Sequence, residues 1–114
     1  RLIALQAEVF AMKFNGMRLT KNATQKRSGG MAGMIVKLQG CELNHRLAEL
    51  AIDVMGEYGI LFEDSPFIRD HGMWQTAYMF DLGLIIGGGS AQIQKNIISE
   101  RGLDMPREPK VAKK

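Results

Sequence analysis

The sequence predicts an all-α fold, a helical bundle made of two long and two short helices. Apolar residues recur at intervals of three and four over most of the chain. Glycine clusters interrupt these runs where helices should end, and no alternating apolar pattern is long enough for a strand. The 114 residues suffice for one domain, predicted over residues 1 to 106 and followed by a tail at 107 to 114.

The first long helix is predicted over residues 1 to about 23. Good helix formers separate its apolar residues, which are Leu2, Leu5, Val9, Met12 and Met17. The helical pattern begins at Leu2, and no residue suited to cap a helix precedes it. We therefore expect a fragment that lacks at least one N-terminal helix. The polar segment from Lys21 to Gly30 predicts a turn.

The second long helix is predicted from Met31 to Tyr58, with Gly56 and Gly59 stopping it. Its apolar stripe consists of Met34, Leu38, Cys41, Leu47, Leu50 and Val54, with Ile35 and Met55 as possible additions. Residues 59 to 72 predict a loop. Because the two short helices cannot cover the stripes of both long ones, we expect that the isolated chain is not a monomer.

The C-terminal part predicts a short helix from Met73 to Ile86 and another from Ala91 to Arg101. Between them, three glycines lead into Ser90, a residue suited to cap a helix N-terminus. The last helix is expected to bury Ile93, Ile97 and Ile98 and to end at Gly102 in the left-handed conformation.

Charge and cysteine content exclude several classes of protein. The net charge of +3 lies wholly in residues 107 to 114, which predict a solvated disordered tail or, alternatively, a weak anion or membrane-surface contact. No aromatic residues alternate with basic ones, so nucleic-acid binding is not expected. No run of about 18 apolar residues predicts a membrane span. A single cysteine, Cys41, excludes an internal disulfide and fits a reducing cytoplasm.

Few side chains indicate chemistry by themselves. The glycines at 87 to 89 are either a plain flexible link or a place where backbone N–H groups approach an anion or a polar ring. They match neither a Walker loop nor a Rossmann fingerprint. His45 and His71 are expected on the surface or in helix packing, and Cys41 as a buried, inert thiol. No metal site is predicted.

Five segments together resemble the acyl-CoA dehydrogenases, flavoenzymes that oxidise acyl-CoA thioesters. The segment from Ser90 to Leu103 is similar to the family's Gly-Thr-x-x-Ile-Gln stretch and its Asn-Ile-Ile-x-Glu-Arg ending. Met34 to Lys37, with Ala48 to Ala51 further on, resembles the penultimate long helix. Asp53 to Gly59 stands where the family has Gln-x-x-Gly-Gly-x-Gly, and Arg69-Asp70 matches an Arg-Asp pair. The resemblance covers nearly the whole chain and implies the family's C-terminal helical domain.

The resemblance implies FAD as the cofactor. The positions that match the family's flavin contacts are Ser90, Gln92, Asp53, Gly56 and Glu57. In the family, the turn that matches Asp53 to Glu57 reaches the cofactor of a neighbouring subunit. Here carboxylates replace its glutamine and one glycine, so that turn can accept hydrogen bonds but offers fewer donors.

The resemblance also places the substrate. Gly88 and Gly89 match positions that border the acyl chain, and the family's usual catalytic glutamate falls at Gly88, so no catalytic residue is predicted in this chain. Some branches carry that glutamate on an earlier helix, which would precede Arg1. Compared with the family's pattern, the chain has about ten extra residues between Arg69-Asp70 and the glycines. In this it resembles bacterial paralogues that act on unusual or bulky acyl-CoAs, including those that assemble as α2β2 pairs.

The predicted function is therefore that of the C-terminal domain of an FAD-dependent acyl-CoA dehydrogenase, which introduces a double bond between the α and β carbons of a thioester. The domain is expected to contribute an oligomer interface and part of the FAD and acyl pocket. Acyl-CoA, an electron-transfer flavoprotein or similar acceptor, and a homo- or hetero-oligomeric partner are the implied partners. The alternative is a non-catalytic subunit or oligomerisation module of a heteromeric acyl-CoA dehydrogenase.

Overall fold

The computed structural model describes residues 1–27, 30–62, 64–107 and 109, and across these ranges the regular structure is helical with no strand. The four α-helices are α1 (Leu2–Thr24), α2 (Gly30–Met55), α3 (Met73–Ile86) and α4 (Ala91–Ile97). Short 3-10 helices span Gly56–Ile60 and Asp70–Gly72, and a π-helical turn spans Ile98–Gly102. The predicted all-α fold is confirmed.

Helix α2 is the centre of the domain, because α1, α3 and α4 all pack against it. Among the described residues, the buried apolar residues are few and small or medium in size: Leu5, Ala32, Leu43 and Ala48. His45 of α2 stacks on Tyr78 of α3 with ring centroids 4.5 Å apart, which confirms its role in helix packing. His71 lies on the surface as expected, whereas Cys41 is only half-buried.

The helices form an open, elongated bundle that encloses little core. The molecule measures 55 × 47 × 23 Å, and its radius of gyration is 18.4 Å, against about 13 Å for a compact chain of this length. Its accessible surface is 8924 Å², against about 6,200 Å² for a compact protein of this mass. This open arrangement agrees with the small number of apolar side chains that are buried.

Several residues predicted to lie in the core are consequently exposed. Leu2, Val9 and Met17 of α1 face solvent, and Val54 is 78% exposed. Ile93 of α4 is 51% exposed, although Ile97 and Ile98 are half-buried as expected. The helical periodicity was sufficient to predict these helices, but periodicity does not reveal whether another element covers each apolar stripe.

Two predicted helix ends differ from the structure. Helix α2 ends at Met55 rather than Tyr58, because Gly56 adopts φ +57° and only the tighter 3-10 turn follows. The left-handed residue at the end of the chain's last helix is Asp104, with φ 52°, and not Gly102. The wide turn causes this shift, since the N–H of Leu103 donates to the Ile98 carbonyl at 3.1 Å.

The C-terminal tail is described only in part. Arg107 forms an ion pair with Glu100 at 3.2 Å. Residues 108 and 110–114, on which the predicted disordered tail mainly falls, lie outside the described residues. No helix within the described ranges is both long and apolar enough to cross a membrane.

Candidate functional site

The three glycines form a tight, hydrogen-bonded turn between α3 and α4. The N–H of Gly87 donates to the Gly83 carbonyl at 2.8 Å, and that of Gly89 donates to the Ile86 carbonyl at 3.2 Å. Gly88 and Gly89 have φ angles of +69° and +106°. Residues with a Cβ rarely adopt these angles, so the turn requires glycine at both positions.

Lys37 of α2 holds this turn from the side. Its ammonium donates to the carbonyl of Ile85 at 3.0 Å and to that of Gly89 at 2.8 Å. The Ile85 carbonyl lies in the last turn of α3, where the partial negative charge of a helix favours a cation. One half-buried lysine thus ties the end of α3 and the turn to the centre of α2.

Helix α4 holds the turn from the other side. The amide of Gln94 donates to the Gly88 carbonyl at 2.9 Å. The Ser90 hydroxyl accepts from the N–H of Ile93 at 3.4 Å, which confirms Ser90 as the N-cap. The carbonyls of Gly88 and Gly89 are therefore both bonded to side chains of flanking helices, so the glycines form a hydrogen-bonded turn between α3 and α4.

Open space in the turn is confined to Gly88. A Cβ on Gly87 would lie 2.9 Å from the Gly83 carbonyl oxygen, and one on Gly89 would lie 3.0 Å from the Gln94 amide nitrogen. At Gly88 the nearest atom would be Cε of Lys37 at 4.0 Å. The position that matches the family's glutamate is thus sterically open, but its positive φ disfavours any side chain.

The other predicted contact turn lies elsewhere on the domain. Asp53, Gly56 and Glu57 are exposed at the C-terminal end of α2, and Asp53 forms an ion pair with Arg1. Asp53 follows Lys37 by 16 residues, about 24 Å along a helix. The structure therefore brings Gly88, Gly89, Ser90 and Gln92 together and keeps the Asp53 turn apart from them.

The residues that fix the turn, Lys37 and Gln94, were not predicted as part of the site. Lys37 is the one charged residue between Gly30 and Cys41, within a mostly apolar stretch of α2. A lone charge on a packed helix face generally needs partners, and this signal could have indicated its role. Among the described residues, no group of three His, Cys, Asp or Glu side chains is arranged to hold a metal ion.

Comparisons with known proteins show the family of this chain. The family described as "Acyl-CoA dehydrogenase, C-terminal domain" matches residues 1–103. The acyl-CoA dehydrogenase IpdE1 of Mycobacterium tuberculosis (strain ATCC 25618 / H37Rv) is 42% identical over 76 residues, which are 67% of this chain and 19% of that protein. The IpdE1 of Mycolicibacterium smegmatis (strain ATCC 700084 / mc(2)155) is 41% identical over 76 residues, 67% of this chain and 18% of that protein. The chain thus spans about a fifth of these relatives.

Two solved structures share the fold. The ChsE4-ChsE5 complex from Mycobacterium tuberculosis matches with a TM-score of 0.76 and 25% identity, over 91% of this chain and 26% of that one. A structure titled "Tcur3481-Tcur3483 steroid ACAD" matches with a TM-score of 0.84 and 20% identity, over 94% of this chain and 28% of that one. The chain belongs to the acyl-CoA dehydrogenase family, in which it matches the C-terminal domain.

Proposed function

We propose that this chain is the C-terminal domain of an FAD-dependent acyl-CoA dehydrogenase that forms the α,β double bond of an acyl-CoA thioester. The observation that carries the proposal is the fixed turn of three glycines, which Lys37 and Gln94 hold directly beside Ser90 and Gln92. A turn held by hydrogen bonds next to two hydrogen-bonding side chains suits a site where a substrate and a cofactor must meet in one geometry.

The acyl chain passes beside Gly88 and Gly89 in this proposal. The missing side chain at Gly88 leaves open space, with the nearest atom 4.0 Å from the position of a Cβ. This space favours a bulky acyl group over a slender one. The remaining surface of the acyl pocket comes from the rest of the full-length protein.

Ser90 and Gln92 fit a role in holding FAD. The Ser90 oxygen accepts from the Ile93 N–H, so its own proton remains free to donate. Gln92 is exposed and offers both a donor and an acceptor. When bound, FAD supplies the acceptor for the substrate's hydride. Asp53, Gly56 and Glu57 serve the flavin of a neighbouring subunit, and the ion pair of Asp53 with Arg1 reduces the repulsion between that carboxylate and a pyrophosphate.

The catalytic base is assigned to another part of the full-length protein, because Gly88 has no side chain. Electrons then pass to an electron-transfer flavoprotein or a similar acceptor, and the enzyme acts in the cytoplasm as a homo- or hetero-oligomer. The exposed apolar residues of α1 supply the oligomer interface.

The purified full-length protein tests the proposal directly. We expect bound flavin absorbance that is bleached when an acyl-CoA is added without oxygen. The double variant Ser90→Ala, Gln92→Ala should retain less FAD, whereas the control Gln39→Ala, at an exposed position of α2, should retain as much as the wild type. Full flavin occupancy in the double variant would remove Ser90 and Gln92 from the cofactor site.

A second candidate function is a non-catalytic subunit of a heteromeric acyl-CoA dehydrogenase. Gly88 favours it, because both its identity and its φ of +69° are unsuited to a catalytic glutamate. The similar ChsE4-ChsE5 structure is itself a complex of two proteins. A colourless full-length protein that becomes part of an active enzyme only with a second polypeptide would establish this function in place of the first.

A further inference from the structure

Tyr58 is contacted by two side chains that lie near the N-terminal end of α3. The amide nitrogen of Gln75 donates to the Tyr58 carbonyl at 3.2 Å. The guanidinium carbon of Arg69 lies 5.1 Å from the centroid of the Tyr58 ring, within the range of a cation–π interaction. Arg69 precedes α3, and Gln75 lies in its first turn. These three residues, here called the Tyr58 latch, join the beginning of α3 to the 3-10 helix Gly56–Ile60.

This 3-10 helix depends on contacts from outside itself. Such short helices have poor hydrogen-bond geometry, and this one begins at Gly56, whose φ is +57°. It packs against α2, where Gly59 is buried and a Cβ on it would lie 2.6 Å from the Ile52 carbonyl oxygen. The Tyr58 latch supplies its contact with α3. The position of the 3-10 helix is therefore set by α2 and α3 together.

Gln75 makes its bond to Tyr58 although another of its polar atoms stays unpaired. It is 6% exposed, and its Oε1 atom has no hydrogen-bond partner in the part of the chain that the structure describes. Turning the amide over would place Oε1 against the Tyr58 carbonyl oxygen, and two acceptors repel each other, so the bond fixes the orientation. An apolar side chain of similar length would avoid the cost of the buried oxygen. The placement of Tyr58 therefore explains this glutamine better than stability does.

The backbone between Arg69 and Gln75 is strained. Asp70, His71 and Gly72 have φ angles of 47°, 52° and 71°. Such angles are accessible to glycine, but at Asp70 and His71 they are unfavourable and persist only where surrounding contacts impose them. The N–H of Gly72 donates to the Arg69 carbonyl at 3.0 Å and closes the turn. This turn brings both side chains of the latch to the same tyrosine.

Helix α3 connects the latch to the turn of three glycines. Its 14 residues span about 21 Å. Near its N-terminal end Gln75 bonds to Tyr58, and near its C-terminal end the Ile85 carbonyl accepts from Lys37. The two ends of one helix therefore contact the two regions that are assigned to flavin binding.

We propose that Gln75 and Arg69 are positioning residues, which act through Tyr58 to fix the turn from Asp53 to Glu57. Tyr58 follows Glu57 directly in the chain, so a displacement of Tyr58 also displaces this turn. The inference rests on the proposed function, in which the turn serves the flavin of a neighbouring subunit. Neither positioning residue touches the cofactor. They reduce the conformational freedom that the turn would otherwise lose when flavin binds.

Hydrogen exchange in the full-length protein tests the latch without flavin. Gln75→Met removes the donor and preserves the side-chain length, so the amides of Gly56–Ile60 should lose about two- to tenfold in protection. The amides of Gly87 and Gly89 should keep their protection. The midpoint of thermal unfolding should stay the same or rise, because the unpaired buried oxygen is removed. A purely structural role for Gln75 would instead lower this midpoint.

The control for this variant is Gln6→Met, at an exposed position of α1, which should leave exchange at Gly56–Ile60 unchanged. Unchanged exchange at Gly56–Ile60 in Gln75→Met would overturn the proposal. A loss of protection spread over the whole domain would overturn it as well.

Two substitutions of Arg69 test the other contact of the latch, at an exposed position where folding should not be affected. Arg69→Lys retains a cation that can reach the Tyr58 ring, whereas Arg69→Met does not. We expect protection at Gly56–Ile60 to be kept in Arg69→Lys and to fall in Arg69→Met. The control Arg18→Met, at an exposed position of α1, should behave as the wild type. Equal protection in the lysine and methionine variants would overturn the assignment of Arg69.

Flavin binding tests the consequence for the site. The dissociation constant of FAD from the full-length protein, stripped of flavin and titrated by flavin fluorescence, should rise about two- to tenfold in Gln75→Met. It should also rise in Arg69→Met, and less in Arg69→Lys. If the wild type binds FAD and Gln75→Met binds it equally well, this inference fails while the proposed function stands. A wild type that binds no FAD would overturn both.

Discussion

Lys37 and Gly89 are 52 residues apart in the sequence, yet the lysine ammonium donates to the glycine carbonyl at 2.8 Å. The same ammonium reaches the end of α3 through the Ile85 carbonyl. This cation therefore links three elements, namely α2, α3 and the turn before α4. The conformation of the glycine turn depends on α2, which is far from it in sequence. Substitutions on α2 should therefore alter the structure of the turn.

Replacing Lys37 with methionine should loosen the turn while preserving the packing of the aliphatic stem. Hydrogen bonds from a charged donor contribute about 1 to 3 kcal/mol to the stability of a folded protein. We therefore expect Lys37→Met to lower the free energy of unfolding by about that amount. Hydrogen exchange should accelerate at the amides of Gly87 and Gly89. The control Lys13→Met, at an exposed position of α1, should change neither quantity. Unchanged exchange at the turn would show that Lys37 does not hold it.

A side chain at Gly88 should destabilise the protein although there is room for it. Because φ is +69° at this position, Gly88→Ala should cost about 1 to 2 kcal/mol in unfolding free energy. Gly16 provides the opposite case, since it lies within α1 and a Cβ there meets no atom within 4 Å. Gly16→Ala should stabilise by about 0.5 to 1 kcal/mol. Urea unfolding of both variants measures the sign of each change in unfolding free energy. Equal changes in the two variants would contradict the argument.

Glutamate at position 88 tests the role of the open space in the full-length enzyme. If the acyl chain passes beside Gly88, Gly88→Glu should reduce kcat/KM for bulky thioesters more than for short ones. The strain of the positive φ applies to both substrate classes equally, so the ratio of the two kcat/KM values isolates the steric effect. Unchanged activity toward bulky thioesters would exclude a space-making role for Gly88.

The sequence was sufficient to predict the helices but not which of their apolar residues are buried. Helical periodicity and the glycine positions predicted α1 and α3 within one residue at each end, and a local hydroxyl predicted the cap at Ser90. These features depend on neighbouring residues only. The exposure of Val54 and Ile93 depends on what lies opposite them, which no local pattern encodes.

In the candidate site, too, some features depend on neighbouring residues and others on residues distant in sequence. Gly88, Gly89, Ser90 and Gln92 are adjacent in sequence, so their proximity could be predicted from the chain. The bonds from Lys37 could not, because they depend on how α2 lies against the end of α3. For a related reason the left-handed residue is Asp104 and not the predicted Gly102. The π-helical turn after α4 places the end of the helix further along the chain.

The ion pair between Glu8 of α1 and Arg46 of α2 should make the contact between these helices sensitive to acid. The hydrogen bond from Arg46 holds the pKa of Glu8 below its ordinary value of 4.5, with a smaller contribution from the charge of Arg46 and partial opposition from desolvation. A lowered folded pKa means that the stabilisation is fully present above pH 4.5 and is lost as the pH falls through the folded value.

Glu8→Gln should therefore narrow the stability difference between neutral and acidic pH. Unfolding by urea at a series of pH values measures it: the wild type should exceed the variant above pH 4.5, and the two should converge at lower pH. Because the pair is exposed, the effect should also shrink when salt is added. For the control Asp64→Asn, at an exposed position, the unfolding free energy should vary with pH in parallel with that of the wild type. Curves for Glu8→Gln that are parallel to the wild type would show that the pair contributes nothing measurable.

The outer face of α1 should drive association of the isolated chain. Phe10 and Phe14 lie on this face and are exposed, together with Ile3 and Met17 at compatible helical spacing. The accessible surface of 8924 Å² exceeds that of a compact protein by about 2,700 Å², an area comparable to that of a stable interface. We expect light scattering to report an oligomer and a hydrophobic dye to bind. The double variant Phe10→Glu, Phe14→Glu should shift the chain toward monomer, whereas Lys13→Glu, between them, should not. A monodisperse wild-type monomer that binds no dye would mean that this face does not mediate association.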